Sequence, residues 1–505
     1  MSDPQADEAF RRSICTQLPG CGRVRSEADS LGERKVPLDA YWGVNVSRAL
    51  ENFAISGRPI SIYSDFIYAY ACVKQAAALA NADVGVMERW KAEVIEHACV
   101  EIRDGALHDQ FVVDIMQGGA GTSTNMNFNE VIANRALELA GHAKGDYARI
   151  DPNDDVNRSQ STNDTYPTAL KIGLHLALER LQVELVSLAT AFHSKGSEFS
   201  GIVKVGRTQL QDAAPMTLGQ EFQAFAITLA EECLDFEHVT NKLCEISLGA
   251  TAIGTGIAAH PKYAEAARQH LADITGFALR TSPNLVEATT DVGCFLELSG
   301  ALKKCAMKLS KICNDLRLLS SGPQAGFGEI TLPPRQAGSS IMPGKVNPVI
   351  PEAVNQVAFA VAGGDMTLTM AAEAGQLQLN AFVPVMAHVL FENLKYLTAA
   401  VTTLREHCVI GVKANKSRLE QHSRSFVGVI TALIPHIGYE PAARLAKQAL
   451  ADGGDIVDVV AASGLLSREE LASLLTAERL TGSPRESSSA DAGIPRDTGR
   501  EQVRH

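Results

Sequence analysis

Residues 218–246 read LGQEFQAFAITLAEECLDFEHVTNKLCEI, and their spacing decides the fold class. Apolar side chains recur at Phe222, Phe225, Leu229, Cys233, Phe236, Val239, Leu243 and Ile246. Steps of three and four place them on one face of a helix of about 30 residues. A second long pattern of this kind runs from about Leu285 to Leu319, and others follow Asn347 and Pro384. Helices this long, without heptads rich in e and g charges, predict a multi-helix bundle. Strand-like alternation is scarce, so the fold is expected to be mainly α.

The composition agrees and narrows the partners. A chain of 505 residues is too long for one ordinary core and points to two or three domains. Aromatics are only 6% of the chain, so the core must be largely aliphatic, which suits packed helices. The net charge of -12 argues against nucleic acid or an anionic membrane as partner, since both need a basic footprint. An anionic substrate would therefore need local positive charge at its site. Ten cysteines are scattered without a CxxC pair or zinc-like spacing, which reads as reduced thiols of a cytoplasmic protein. No apolar run approaches the roughly 20 residues that span a bilayer. Arg11 and Arg12 are accompanied by Asp3, Asp7 and Glu8 and followed by no apolar region, unlike a secretory signal or transit peptide.

Residues 1–24 lack periodicity and are expected to form a mobile extension. From 483 the sequence turns to SPRESSSADAGIPRDTGREQVRH, too poor in apolar groups to order itself, so a disordered tail is expected. No internal repeat is present. Between the helical patterns lie GGAGTSTNMNFNE (118–130), SQSTND (159–164), GRTQLQDAAPMTLGQEF (206–222), GATAIGTG (249–256) and GSSIMPGKVNPVIPE (338–352). These are too polar for core and too particular for linkers, so the chemistry is expected there.

In GSSIMPGKVNP, glycines and prolines pin a loop, and Asn347-Pro348 offers an N-cap followed by proline at the first helical position. A helix N-terminus suits a carboxylate, and Lys345 adds a full positive charge beside it. Ser339 and Ser340 stand at the front of the loop. The plainer alternative is a flexible Gly/Ser turn. Ser161, Thr162 and Asn163 can donate to carboxylate oxygens or accept from an ammonium group, or can simply cap the next helix. The same choice holds for Thr122 and Ser123. Thr208 and Gln209 precede a long helix and could equally cap it. HExxH, Walker A and GxSxG are absent, and the histidines stand singly.

Taken together, GGAGTSTNMN, SQSTND, GRTQLQDAAPMTLGQEF, KICNDLRLLSSGP and GSSIMPGKVNP, in this order along the chain, resemble the aspartase/fumarase superfamily from about Arg25 to about Leu480. The resemblance implies an N-terminal helical domain (25–160), a central long-helix bundle (161–415) and a small C-terminal helical domain (416–482). It implies a homotetramer whose active sites are each built from three subunits. Fumarases resemble GRTHLQDATPLTLGQEF, with His where Gln209 stands, so the aspartase branch is favoured. Its implied activity is reversible deamination of L-aspartate to fumarate and ammonia. A class II fumarase is the alternative, and a non-catalytic structural protein on the same scaffold, as among lens crystallins, a remote one. Asn45 and Val383 depart from residues found in relatives, His and an acidic residue respectively.

By the same resemblance, Ser339 is the general base, acting as an alkoxide. Thr122, Ser161, Thr162 and Ser340 match positions binding the β-carboxylate and the charge that develops on it. Lys345 and Asn347, assisted by Thr208, match those holding the α-carboxylate, while Asn163 and Gln209 could accept from the leaving ammonium. No cofactor is implied. Divalent metal activates some members of this branch, but no ligand cluster is legible.

Overall fold

The computed structural model describes residues 22–452 and 454–481. The expected tail at 483–505 lies outside the described residues, as does the expected extension apart from residues 22–24, which lead into a strand at Val24–Asp29. The chain is 63% helical, and the sheets among the described residues are two-stranded. Seven helices matter for the site. They are α1 (Ser64–Asp83), α2 (Thr122–Leu139), α3 (Thr162–Glu198), α4 (Leu218–Leu243), α5 (Gly293–Leu319), α6 (Val349–Glu373) and α7 (Val383–His407). One hairpin joins them, β1 (Val203–Thr208) with β2 (Gln211–Thr217).

The deciding stretch is α4, and its predicted face from Phe222 to Leu243 is buried throughout. Thr217 Oγ1 accepts from the Gln220 amide at 3.0 Å and Gln220 Oε1 accepts from the Thr217 amide at 2.9 Å, a reciprocal cap that starts the helix. The helix stops at Leu243, and Ile246 instead enters a short strand paired with Arg280–Thr281. The Leu285–Leu319 pattern is also broken. A short helix ends at Thr290, Asp291 takes an extended backbone, and its carboxylate accepts from the Gly293 amide to open α5. The helices expected after Asn347 and Pro384 are α6 and α7, the second of which opens at Val383, one residue before its proline. Periodicity cannot see such breaks, because the apolar face continues across them.

By contact density the chain falls into two compact units, and the division lies inside each of α3, α4, α5, α6 and α7. Of the described residues, the first unit takes 22–179, 237–300 and 363–394. In its core Tyr70 stacks on Phe128 at 4.3 Å, and Phe66 meets Tyr70, Tyr166 and Phe391. The second unit takes 180–236, 301–362, 395–452 and 454–481. Phe192, Phe199, Phe222 and Phe225 interlock there, each fully buried ring contributing about 1.5–3 kcal/mol by area. A further apolar cluster of this unit joins Phe426, Ile430, Leu433, Leu445 and Ile456 to Val205 of β1, so the hairpin stem is rooted in core.

Candidate active site

Three of the polar segments converge in the first unit. The GGAG turn enters α2 with Ala120 and Gly121 at positive φ (54° and 93°). A Cβ added at Gly121 would lie 2.2 Å from the Tyr166 ring, so conformation and space both demand glycine. Thr122 follows as an exposed residue at the helix start, its hydroxyl donating to Gly119 O at 2.8 Å. Ser161 caps α3, its Oγ accepting from the Asn163 amide at 3.2 Å. The capping alternative is thus realised for Ser161, without removing its hydroxyl proton from use.

Asn163 donates Nδ2 to Ala252 O at 2.7 Å. A carbonyl acceptor there fixes which way the amide points, and among the described residues Asn163 Oδ1 accepts no hydrogen bond. It is a fixed acceptor. Thr162 is buried, and a small cavity behind it is shared with Asn163, Tyr166 and Val383. The departure at Val383 therefore sits against the candidate site. Asn45 donates Nδ2 to the buried Glu130 carboxylate at 2.9 Å instead.

Two buried groups beneath these loops carry the arrangement, and neither had been assigned a role from sequence. Asp164 accepts from the amides of Ser161 (3.0 Å), Gly249 (3.1 Å) and Thr251 (2.9 Å), tying SQSTND to GATAIGTG. Burial pushes its carboxyl up to about 7 against the pull of those three donors. Lys74 of α1 is fully buried and donates to Asn157 Oδ1 and Gln160 Oε1, both at 3.0 Å, the latter next to Ser161. Burial draws its ammonium down to about 7. A lone lysine in the alanine-rich apolar run 69–80 was the available signal.

The remaining candidates lie in the second unit. Thr208 and Gln209 are at the tip of the β1–β2 hairpin, not at a helix start, which corrects the capping alternative; the cap is Thr217. Gln209 and Leu210 form its two-residue turn with φ of 54° and 62°. Such turns favour Asn-Gly, and non-glycine residues held there cost about 1–3 kcal/mol each.

The signature loop closes on itself. The Gly338 amide donates to Lys345 O and Asn347 Nδ2 donates to Gly338 O, both at 2.8 Å. Asn347 therefore staples the loop rather than capping α6, which starts at Val349, one residue later than expected for a proline at the first helical position. Ser339 Oγ accepts from the amides of Ile341 at 3.2 Å and Met342 at 3.0 Å. Two N–H dipoles aimed at one hydroxyl oxygen favour its anionic form. Ser340 and Lys345 are exposed, and among the described residues the Lys345 amine makes no hydrogen bond or ion pair.

A cavity of about 440 Å³ beside this loop is lined by Lys345 and Asn347 together with Arg317, Ser320, Ser321 and Asn415. Among the described residues no acidic side chain lines it, and Arg317 and Lys345 supply the local positive charge that an acidic chain needs for an anionic substrate. Arg317 stood in the quoted KICNDLRLLSSGP without an assigned role. Among the described residues no group of three or more His, Cys, Asp or Glu side chains is placed to hold a metal ion.

The chain is similar to known proteins over most of its length. A family model described as Lyase matches residues 32–363, and one described as Fumarase C C-terminus matches 429–482. The aspartate ammonia-lyase of Pseudomonas aeruginosa is 54% identical over 457 residues, covering 90% of this chain and 96% of that protein. That of Escherichia coli K12 is 49% identical with the same coverage of each. A solved structure named fumarate lyase:delta crystallin, from Brucella melitensis and bound to cobalt, aligns with a TM-score of 0.89 and 52% identity, covering 90% of this chain and 99% of its own. A class II fumarase from Schistosoma mansoni aligns at 0.85 and 32%, with the same coverage.

Proposed function

This chain belongs to the lyase family and to the aspartase/fumarase superfamily, and from that premise we propose that it removes ammonia reversibly from L-aspartate to give fumarate. The observation that carries the chemistry is the pair of amides on Ser339 Oγ. A serine hydroxyl is a poor base in water, and this placement lowers the cost of the alkoxide.

Ser339 takes the proton from Cβ, and the electron pair of that C–H bond moves into the β-carboxylate as a dianionic aci-carboxylate. Ser161, Thr162 and Ser340 donate to that charge, as does Thr122 once its hydroxyl turns from Gly119 O, a single preorganised donor contributing about 3 kcal/mol. The pair then returns to form the double bond while the C–N bond breaks and ammonia leaves with its electrons. Lys345 and Asn347, with Thr208, hold the α-carboxylate. Asn163 and Gln209 accept from the ammonium, and a neutral amide at 209 avoids the repulsion that a cationic histidine would bring. No cofactor enters these steps; activation by a divalent metal is compatible with them.

The three-domain organisation, cytoplasmic location and homotetramer with shared sites belong to the same proposal. No helix among the described residues is long and apolar enough to cross a membrane. Supporting self-association, Phe359, Met366 and Met370 form an exposed apolar stripe along α6 at 64%, 63% and 66% exposure.

The test is fumarate release, followed by ultraviolet absorbance, with L-aspartate and L-malate offered in parallel. Release from aspartate alone is expected. Release from malate alone would make the protein a fumarase and overturn the reading of Gln209. Silence with both would favour the structural protein.

A further inference from the structure

The strained turn at Gln209–Leu210 stands on a stem held from several sides, and one buried side chain meets two of its residues. Glu329 is fully buried. Its Oε1 accepts from Arg207 Nη1 at 2.7 Å, and its Oε2 pairs with Lys204 Nζ at 3.0 Å. Both cations belong to β1. His422 reaches Oε1 at 3.4 Å. Lys204, itself buried, also donates to Glu221 at the start of α4, at 2.6 Å. Arg207 faces Asp212 across the ladder at 3.6 Å and lies over the Phe327 ring, 4.2 Å from its centroid. A bulge between Gly206 and Arg207 shifts the register just below the tip, so Arg207 opposes Asp212 and Thr208 opposes Gln211.

A buried carboxylate is costly to keep and is a weak device for stability alone. Spending both of its oxygens on two cations of one strand fixes that strand's twist and register. Backbone strain of this kind persists where the surroundings hold it, and it gathers at functional sites.

We propose that Glu329 is a positioning residue for the reaction: through Arg207 and Lys204 it locks the bulged stem, so that the Gln209 amide is presented to the ammonium in one orientation. The inference rests on Gln209 being the ammonium acceptor. Glu329 touches no substrate. Its effect should fall on ammonium and spare the dicarboxylate, which other loops hold.

The experiment is the reverse reaction, amination of fumarate by the full-length protein, with KM measured separately for ammonium and for fumarate. Glu329→Gln keeps shape but removes the charge, and Arg207→Lys keeps charge but loses the planar stack and fork. Each is expected to raise KM for ammonium about tenfold, the loss of one charge-assisted hydrogen bond, and KM for fumarate by less than about twofold. Gln209→Ala should show the same split, and adding Glu329→Gln to it should change little further, because the two act through one group.

Both KM values rising together, or only the amount of active enzyme falling, would overturn the proposal and leave Glu329 a stabilising group. Should Glu329→Gln fail to fold, Arg207→Lys decides alone. Gln209→Ala with an unchanged ammonium KM would remove the acceptor role itself. Gln209→Ala showing the split while both stem variants do not would overturn only the part given to Glu329.

Discussion

At the scale of single residues, the loop chemistry separates into groups that react and groups that hold. Ser339 has its oxygen between two amides, whereas Asn347 spends its nitrogen on closing the loop. Ser339→Ala is therefore expected to lower kcat by at least about three orders of magnitude, as for loss of a unit acting at the reacting atom. The assembly should be unchanged, which a light-scattering mass checks; near-native turnover would remove Ser339 as the base. Lys345→Ala should chiefly raise KM for aspartate, and an unchanged kcat/KM would remove it from the α-carboxylate. The candidate residues were legible because short polar side chains cluster in glycine-rich loops. Asp164 and Glu329 were not, since a buried charged residue within a polar stretch is indistinguishable from an exposed one until its partners are known, whereas Lys74 was marked only by the apolar run around it.

At the scale of elements, the hairpin is what periodicity missed. VKVGRT and QDAAPMT carry a bulge, a cross-strand ion pair and a turn without Asn or Gly, so neither alternation nor turn chemistry announces them. The hairpin is also a place where acid should loosen the second unit. Burial pushes the Glu329 carboxyl up, but Lys204 and Arg207 outweigh it and hold the group below its ordinary value of 4.5. A depressed carboxyl stabilises the fold above its unfolded value, and that contribution is lost as pH falls through the folded one. Acid titration followed by near-ultraviolet circular dichroism should thus show a transition below about pH 4.5. It should be absent in Glu329→Gln; an identical transition in that variant would assign it to other groups.

At the scale of the whole molecule, the exposed face of α6 is the feature most at odds with a solitary chain. Phe359, Met366 and Met370 are spaced seven and four apart and all lie in the open. With α6 in the interface of the proposed homotetramer, Met366→Glu should shift the solution mass toward smaller species at micromolar concentration, and an unchanged mass would place the interface elsewhere. The helical class and the long central elements were readable because an amphipathic stripe is a property of the chain itself. The division into two units was not, since it cuts through helices whose pattern runs on unbroken. That division also bears on synthesis. The first unit needs residues up to 394 and the second needs those beyond. At about 5–20 residues per second, the ribosome holds a chain with neither unit complete for about 20–80 s. Throughout that interval apolar helix faces wait for partners still unmade, so the yield of active protein should depend on holding chaperones and improve when translation and growth are cooled together.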